Sequence, residues 1–323
     1  MRQPEFWLTR GLRSTSLIPF SWAYLGIRRV LQVGRSPWKA PVPVFCIGNL
    51  TVGGSGKTPV ALELARMLID RGRSPHFLSR GYGRKTKTPL RVDPRSHCVT
   101  DVGDEPLLLA QLAPVWVDSD RVRAAKLACA SGADCLVMDD GFQNFGLYKD
   151  YSVIVIDGSY GFGNGRIIPS GPLREQIGSG CERAQVAILI GEDSHGVSEG
   201  FPLETINADI IPIISSTENF KNKKIAAFAG IGRPEKFFDL LKSLGADLIV
   251  QRSFPDHHCF SEADLKEFTQ IAKRGNAEIY TTEKDYQRVP MDLRMDFQIL
   301  PVKISWKDTA APSRMLDKFL ENG

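Results

Sequence analysis

Cysteine is scarce in this chain and forms no framework. The six cysteines, at positions 46, 98, 129, 135, 181 and 259, include no Cys-x-x-Cys pair. A chain of 323 residues with 42% hydrophobic content is long enough to bury a sizeable core without disulfides. The cysteine pattern therefore predicts a reducing, cytosolic compartment and excludes a small disulfide-stapled domain. The length predicts two globular domains.

Long hydrophobic runs are also missing. The apolar N-terminal stretch "LIPFSWAYLGI" at 17–27 has 11 residues, whereas a helix that crosses a bilayer needs about 20. No small-residue cleavage site follows it within the range expected for a signal peptide. Its aromatic side chains stand among arginines, which is typical of a helix lying in an anionic membrane surface. The alternative is an ordinary N-terminal helix packed on the protein body.

The net charge of +4 is small and unevenly distributed. Residues 1–39 carry one acid, Glu5, and seven basic side chains: Arg2, Arg10, Arg13, Arg28, Arg29, Arg35 and Lys39. The rest of the chain holds 34 basic and 36 acidic side chains, a balance that argues against a nucleic-acid binder. We expect residues 1–38 to form a basic amphipathic helix that associates with a membrane.

Apolar runs of strand length recur along the chain. In the first part they are "PVPVFCIGNL" (41–50), "PVWVD" (114–118), "DCLVMDDG" (134–141), "YSVIVIDG" (151–158) and "AQVAILIG" (184–191). Their hydrophobicity is continuous rather than alternating, which indicates strands covered on both faces. A polar stretch at 216–224 precedes a second series, which includes strands near 246–254, 277–282 and 296–304. The pattern predicts an α/β fold of P-loop NTPase type: a mostly parallel sheet with helices on both faces over 39–216, and a smaller α/β domain over 217–323.

A glycine-rich loop carries the strongest chemical signal. The string "TVGGSGKT" matches the P-loop pattern G-x-x-x-x-G-K-[S/T], except that Thr51 replaces the first glycine. It follows a predicted strand and opens a predicted helix, as a P-loop does. Such loops surround phosphate oxygens with backbone N–H groups, while the lysine approaches the terminal phosphates and the hydroxyl faces Mg²⁺. The predicted nucleotide-binding residues are Thr51, Val52, Gly53, Gly54, Ser55, Gly56, Lys57 and Thr58.

Two pairs of acids are candidates for the metal or for catalysis. Asp139 and Asp140 end a hydrophobic strand, the position of a Walker B acid that helps to hold Mg²⁺. They could instead cap the turn at Gly141. Asp104 and Glu105 stand before the helical run "LLLAQL", where acids also stabilise a helix N-terminus. Spacing alone does not separate these functions for the second pair.

Two arginine-bearing loops are candidate ligand contacts. In "LSRGYGRK" (78–85), Arg80 stands among glycines that could grip a phosphate or form a solvated loop. The stretch "GRIIPSGPLRE" (165–175) contains Arg174 and Glu175 and has no clear periodicity. Irregular segments inside compact domains are usually functional or disordered, and the apolar residues of this stretch favour an ordered active-site loop.

The string "FPDHHCF" at 254–260 combines an acid, two histidines and a cysteine. A zinc site needs three or four ligands, with a second pair at a distance, and no such pair completes this one. Protein palmitoyltransferases carry an Asp-His-His-Cys string between transmembrane helices, which this chain lacks. A histidine beside a nucleotide crevice could serve acid–base catalysis, and a locally hydrogen-bonded loop histidine is the alternative.

Eight strings occur in a fixed order: "GNLTVGGSGKTP", "LSRGYGR", "GDEP", "DDGFQ", "RIIPSGPLRE", "AGIGRPEKFF", "FPDHH" and "TTEKD". Together they resemble the tetraacyldisaccharide 4′-kinase family of lipid A biosynthesis, up to about residue 285. The resemblance implies a P-loop enzyme associated with the cytoplasmic face of the inner membrane as a peripheral or monotopic protein. Its substrates would be ATP with Mg²⁺ and an acylated glucosamine disaccharide 1-phosphate lipid, phosphorylated at the 4′-hydroxyl. No nucleic acid and no obligate protein partner is expected.

The same resemblance implies roles for single residues. Lys57, Asp104 and His257 would be catalytic, with Asp104 taking or orienting the hydroxyl proton. Mg²⁺ would be held by Thr58 with an acid of the Asp139 and Asp140 pair, and Glu105 would assist. The residues implied to line the acceptor cleft are Arg80, Arg121, Arg174 and Glu175.

Two rival functions remain open from the sequence. One is another P-loop kinase whose acceptor is soluble, in which case the basic N-terminal helix is a packing element. The other is a membrane-recruited nucleotide switch, which binds ATP and needs no acid–base pair.

Overall fold

The structure is a computed structural model that describes residues 4–32, 34, 36–216 and 218–322. Its strands, in chain order, are β1 (Val44–Gly48), β2 (Pro75–Ser79), β3 (Leu90–Arg91), β4 (Val115–Val117), β5 (Cys135–Asp139), β6 (Tyr151–Asp157), β7 (Val186–Ile190), β8 (Thr205–Pro212), β9 (Lys224–Ala229), β10 (Asp247–Ser253), β11 (Glu278–Thr282), β12 (Phe297–Leu300) and β13 (Val302–Trp306).

The helices, in chain order, are α1 (Leu12–Ser16), α2 (Ile18–Gln32), α3 (Lys57–Asp70), α4 (Val99–Val102), α5 (Asp104–Leu109), α6 (Arg121–Ala130), α7 (Ile177–Cys181), α8 (Pro234–Ser243), α9 (Glu262–Arg274), α10 (Glu283–Tyr286) and α11 (Ala311–Asn322). Two short 3₁₀ turns, Glu5–Trp7 and Met291–Asp296, complete the regular structure of the described residues.

The larger sheet has nine strands in the order β13-β8-β7-β6-β1-β5-β2-β4-β3. Its seven inner strands are parallel, and the two edge strands β13 and β3 pair antiparallel with their neighbours. Apolar cores cover both faces, one beneath α3 and α11 and the other beneath α6. The continuous hydrophobicity of the inner strands follows from this double burial. The predicted fold, a mostly parallel sheet covered on both faces, is confirmed.

The smaller sheet has four parallel strands in the order β10-β9-β11-β12. Phe228 of β9 is fully buried beneath it, and the rings of Phe260, Phe268 and Phe297 meet its ring edge-on. The helices α8 and α9 cover opposite faces of this sheet with their apolar sides. The second α/β series predicted from the sequence is therefore built around its own core.

The chain returns to the larger sheet at its C-terminal end. The sequence predicts one strand near 296–304, but the structure has two strands there, interrupted at Pro301. Proline cannot donate a ladder hydrogen bond, so a continuous strand breaks at this position. The strand β12 stays in the smaller sheet, whereas β13 pairs with β8 and α11 packs on α3. Residues 302–322 thus belong structurally to the larger sheet, although the predicted division at residue 216 assigns them to the second domain.

The N-terminal segment of residues 4–32 packs on the loop 164–174. Asn164 Nδ2 donates hydrogen bonds to Phe6 O and Ser14 Oγ, each at 3.1 Å. Trp7 Nε1 donates to Pro169 O, and Ser21 Oγ donates to Ile167 O. Among the residues that the structure describes, no helix is both long and apolar enough to cross a bilayer.

Candidate active site

The glycine-rich loop lies between β1 and α3, at the carboxyl end of the larger sheet. Gly53 and Gly56 have φ angles of 106° and 88°, in the left-handed region that favours glycine. A Cβ on Gly232 would lie 2.8 Å from the backbone nitrogen of Gly54, so the loop touches the segment after β9. Residues 52–58 line a cavity, whereas Thr51 lies behind them in an isolated bridge to Leu173. This is the geometry of a P-loop.

The cavity has a volume of about 1690 Å³ and lies between the two sheets. Its wall includes the P-loop, the ends of β5 and β6, the segment 231–233, His257 and two residues of α2, Tyr24 and Arg28. In an open α/β sheet, ligands bind at the carboxyl ends of the strands, as here. The volume exceeds that of a typical small-molecule pocket, so it can hold more than one ligand.

The two acids at the end of β5 have opposite electrostatic environments. Burial, and then the charge of Glu105, raise the pKa of Asp139 to about 7. Burial also acts on Asp140, but Lys57 and Arg174 outweigh it and lower the pKa of that carboxyl to about 2. Lys57 Nζ lies 3.6 Å and Arg174 Nη1 3.0 Å from Asp140 Oδ1. Asp140 is thus an anion paired with two cations. Asp139 is a buried acid that forms no ion pair with the residues that the structure describes, although Lys57 partly offsets the rise of its pKa.

Asp139 is only half satisfied by its surroundings. Thr58 Oγ1 donates a hydrogen bond of 3.0 Å to Asp139 Oδ2, while Oδ1 is buried and has no hydrogen-bond partner in the described structure. An unpaired buried carboxylate oxygen is costly, and it is a donor atom that a metal ion can use. Within the described ranges, no group of three or more His, Cys, Asp or Glu side chains is arranged around a metal position. Mg²⁺ at nucleotide sites usually takes only one or two carboxylates and completes its shell with phosphate and water.

Asp104 opens α5 and is buried behind the ring of His257. Asp104 Oδ2 lies 2.9 Å from His257 Nδ1 and 3.3 Å from Arg288 Nε. Burial disfavours ionisation of this carboxyl, but Lys284, His257 and Arg288 outweigh it and hold the pKa of Asp104 well below its usual range. His257 lines the cavity and Asp104, only 2% exposed, does not. Asp104 is therefore an anion that contacts the imidazole on the side away from the cavity.

Glu105 faces the cavity beside this pair. Lys284 Nζ donates a hydrogen bond of 2.9 Å to Glu105 Oε1 and lies 3.4 Å from His257 Nε2. Burial disfavours the charge on Lys284, but Glu105, Asp104 and Asp256 outweigh it and raise the pKa of this ammonium above its usual range. The two acids belong to α5, and Lys284 lies on the segment after β11. Opposite charges thus join the larger sheet to the smaller one at the cavity wall.

Two active-site residues hold unusual backbone conformations. Asp140 and His257 have φ angles of 51° and 57°. Non-glycine residues are uncommon in this region, and such strain is concentrated at functional sites. The backbone N–H of His257 donates to Gly230 O at 3.2 Å, which helps to hold the loop.

The predicted acceptor residues occupy different depths. Arg80, Arg121 and Arg174 line the cavity. Burial, and then the charge of Arg80, lower the pKa of Arg121 to about 10, and Arg121 Nε is buried without a hydrogen-bond partner in the described structure. Glu175 lies behind the wall, where it accepts from Gln143 Nε2 at 2.9 Å and pairs with Arg183.

The other residues of "FPDHHCF" make local contacts. The ring of His258 stacks on Phe254 at 4.8 Å between centroids, and His258 Nε2 lies 3.3 Å from Asp264 Oδ2. Cys259 is an exposed free thiol. The contacts of His258 thus lie within its own loop and the helix α9 that follows it.

Two groups of residues at the site are not predicted from the sequence. One is the pair of cations Lys284 and Arg288, although "TTEKD" contains the former. The other is the cluster at Asp157, whose Oδ2 lies 2.6 Å from Arg233 Nη1 and from Lys236 Nζ. The string "AGIGRPEKFF" contains both partners, but their shared contact with Asp157, at the end of β6, has no signal in the spacing.

The fold and the loop define a nucleotide-binding enzyme of the P-loop class. A family model described as tetraacyldisaccharide-1-P 4′-kinase matches residues 13–321. Tetraacyldisaccharide 4′-kinase of Rhodospirillum centenum is 45% identical over 99% of this chain and 97% of the relative, and that of Gluconobacter oxydans is 44% identical over 98% and 97%. The fold is similar to the crystal structure of LpxK from Aquifex aeolicus in complex with ATP, with a TM-score of 0.75. The two sequences are 27% identical, and the match covers 95% of this chain and 99% of that chain.

The chain therefore belongs to the tetraacyldisaccharide-1-P 4′-kinase family. The family assignment confirms the resemblance on which the sequence-based interpretation depends, and it confirms that the chain is a kinase.

Proposed function

We propose that this chain transfers the γ-phosphate of ATP to the 4′-hydroxyl of a tetraacyldisaccharide 1-phosphate lipid. One observation carries the proposal: the P-loop and His257, which pairs with the buried Asp104, line one cavity, whose wall also includes residues of the N-terminal helix α2. A nucleotide, a proton acceptor and a membrane-facing entrance are the three parts that such a reaction needs. The family supplies the identity of the acceptor.

The P-loop binds the nucleotide through its backbone N–H groups, which surround the phosphates. Lys57 places a cation beside the terminal phosphates, where charge develops during transfer. This ammonium lies 3.6 Å from Asp140 Oδ1 in the cavity wall. Lys57 is thereby a catalytic residue of the site.

Mg²⁺ fits the donors that Thr58 and Asp139 offer. The hydroxyl and the unpaired carboxylate oxygen of these two residues are hard oxygen ligands at the edge of the P-loop. The other two acids predicted for the metal, Asp140 and Glu105, already have cationic partners, so we give them supporting roles. When bound, the ion neutralises charge on the phosphate oxygens.

His257 receives the proton of the acceptor hydroxyl, and Asp104 orients its ring. His257 lines the cavity, whereas both Asp104 oxygens face protein groups. During transfer, the hydroxyl oxygen forms a bond to the γ-phosphorus, and its proton passes to His257 Nε2. The bond between the γ-phosphorus and the bridging oxygen breaks, and ADP leaves with the electron pair of that bond. Of the two roles predicted for Asp104, taking or orienting the proton, the geometry supports orienting.

The acceptor lies against the arginine side of the cavity. Arg80, Arg121 and Arg174 give this wall a positive charge that suits a phosphorylated disaccharide. The buried Nε of Arg121 lacks a partner in the described structure and can donate to an oxygen of the sugar or its phosphate. Glu175 supports the wall through Gln143 and Arg183.

The N-terminal segment docks on an anionic membrane surface, at the cytoplasmic face of the inner membrane. One side packs on the loop 164–174, while its exposed side presents large apolar residues: Leu12, Phe20, Trp22, Ile27 and Val30. Exposed apolar side chains beside arginines are typical of interfacial helices. Packing on the body and contact with the membrane are thus compatible, because they use different sides of the segment.

Liposome sedimentation tests the membrane part. The double variant Phe20→Ser/Trp22→Ser should bind anionic vesicles less than the unchanged chain does, because both rings are exposed. Met295→Ser is the matched control, since Met295 is 90% exposed and lies in the 3₁₀ turn Met291–Asp296, away from the N-terminal segment. Equal binding by all three proteins would contradict membrane docking through α2.

Transfer of radiolabel from γ-labelled ATP tests the enzymatic part. Incubation with the lipid disaccharide 1-phosphate, with a deacylated soluble disaccharide 1-phosphate and with no acceptor separates the candidate functions. We expect label in the lipid. Preferred labelling of the soluble acceptor would indicate a soluble-substrate kinase, and ATP binding without transfer to any acceptor would indicate a nucleotide switch.

A further inference from the structure

A chain of backbone and side-chain hydrogen bonds connects the segments that carry Lys284 and His257. Lys284 lies in α10, whose first turn is capped by the side chain of Thr282, an acceptor from the backbone N–H of Asp285 at 3.0 Å. Asp285 Oδ1 accepts from the backbone N–H of Gly230 at 3.0 Å, and Gly230 O accepts from the backbone N–H of His257 at 3.2 Å. Two residues that are distant in sequence therefore hold fixed positions relative to each other.

The contacts of the His257 ring determine where its proton lies. Nδ1 faces the Asp104 carboxylate at 2.9 Å, and a carboxylate only accepts, so Nδ1 is the donor. Nε2 faces the Lys284 ammonium at 3.4 Å, and an ammonium only donates, so Nε2 is the acceptor. A neutral imidazole has one nitrogen of each kind, and its neighbours decide which. Asp256 Oδ1 is a third neighbour, 3.8 Å from Nε2 and beyond hydrogen-bond distance. The two neighbours within hydrogen-bond distance select the same tautomer.

We infer that Lys284 is a positioning residue that holds His257 as the neutral Nδ1–H tautomer, with the Nε2 lone pair facing the cavity. The inference rests on the proposed role of His257 as proton acceptor, because only an unprotonated Nε2 can take the hydroxyl proton. Lys284 makes its shorter contact with Glu105, at 2.9 Å. Its longer contact with Nε2 selects the tautomer, and the incoming hydroxyl must replace Lys284 as the donor to the single Nε2 lone pair.

The tautomer can be measured without substrate, by ¹⁵N–¹H correlation spectroscopy of the imidazole rings at about pH 8, above the ordinary pKa of histidine. The chain has five histidines, and a His257→Gln variant identifies the His257 signals by their loss. His76 is an internal reference of the opposite kind, since Trp116 Nε1 donates to its Nδ1 at 3.3 Å. We expect His257 to show a protonated Nδ1 and an unprotonated Nε2. A protonated Nε2 on a neutral His257 would overturn the inference.

Substitutions test the part of Lys284. Lys284→Met removes the ammonium and keeps a side chain of similar length. The His257 signals should then move toward those of a mixture of the Nδ1–H and Nε2–H tautomers. In that variant kcat should fall about 10²-fold, the cost of a misplaced catalytic group, with little change in the KM for ATP. Lys284→Arg keeps a cationic donor and should retain more kcat and the Nδ1–H signals. Lys266→Met, on the exposed side of α9, is the matched control.

Two results for the variants would overturn the inference. Unchanged ring signals and unchanged kcat in Lys284→Met would show that Asp104 alone fixes the ring. Equal losses in the Met and Arg variants, with the tautomer preserved, would reduce Lys284 to a structural ion pair. The spectra of the unchanged protein remain informative even if a variant fails to fold. They also separate failure of this inference from failure of the proposed function, because they need no acceptor.

Discussion

The neighbouring acids Asp139 and Asp140 are expected to respond in opposite ways when each is replaced by asparagine. Burial, and then the charge of Glu105, raise the pKa of Asp139 from 3.8 to about 7. An acid whose pKa is higher in the folded state destabilises that state as the pH rises from the unfolded pKa to the folded pKa. In protein free of nucleotide and metal, Asp139→Asn should therefore raise the free energy of unfolding.

The pKa values set the size and the pH window of this gain. Below about pH 4 the Asp139 carboxyl is protonated in both states, so the gain is absent there, and it is complete above about pH 7. A pKa difference of one between the folded and unfolded states corresponds to ~1.4 kcal/mol. The unfolded pKa of 3.8 and the folded pKa of about 7 therefore set an upper limit of ~4 kcal/mol for the gain. Asparagine leaves one polar atom unpaired at the position of Oδ1, as aspartate does, so that cost cancels.

Asp140→Asn should instead lower the free energy of unfolding. Burial acts against the charge of Asp140, but Lys57 and Arg174 outweigh it and lower its pKa to about 2. An acid with a lowered pKa stabilises the folded state above its unfolded pKa and loses this contribution as the pH falls through about 2. The side chain is 35% exposed, so solvent screening limits the loss at neutral pH to ~1 kcal/mol.

Urea unfolding with EDTA at about pH 8 measures both effects against the unchanged protein. Repeating the measurement at about pH 5 should shrink the gain of Asp139→Asn, because that pH lies only slightly above the unfolded pKa of 3.8. Destabilisation by Asp139→Asn at the higher pH, or equal effects of the two variants, would contradict the assigned electrostatics.

Substitutions at five positions test the assigned roles by activity. Lys57→Ala should abolish measurable transfer in a folded protein, because we propose that its ammonium stabilises the terminal phosphates; full activity would refute the P-loop assignment. His257→Ala should lower kcat about 10²–10⁴-fold, and adding Asp104→Asn should cost much less than the sum of the single effects, as expected of residues that act as a unit. A large loss for His258→Ala with His257→Ala near the unchanged rate would show that the other histidine is catalytic. Cys259→Ser should leave activity unchanged, and stoichiometric zinc in the purified protein would contradict the assignment of this loop.

Local sequence patterns were sufficient for the P-loop and for the inner strands. The loop at 51–58 is a contiguous motif, and the inner strands are buried on both faces, so each leaves its signature in a few consecutive residues. The break at Pro301 is different. The residues on either side have the same apolar character, and only pairing with two separate sheets shows that they form two strands.

The contacts around His257 could not be predicted from spacing. The partners Asp104 and His257 are 153 residues apart, and Glu105 and Lys284 are 179 residues apart. Acids at the start of a helix commonly stabilise its N-terminus, so the position of Asp104 in the sequence does not indicate a catalytic function. Only the family resemblance implies one. Its burial against Arg288 becomes visible only when the two sheets are packed together.

The position of the transferred phosphate tests the central claim most directly. After incubation of the chain with ATP, Mg²⁺ and a tetraacyldisaccharide 1-phosphate, ¹H–³¹P correlation spectroscopy of the purified lipid shows which carbon bears the new group. The account predicts a phosphate coupled to the proton at the 4′ position, with the 1-phosphate unchanged and no product from the Lys57→Ala variant. A phosphate at another hydroxyl, a pyrophosphate at position 1, or a lipid that gains no phosphate would contradict it.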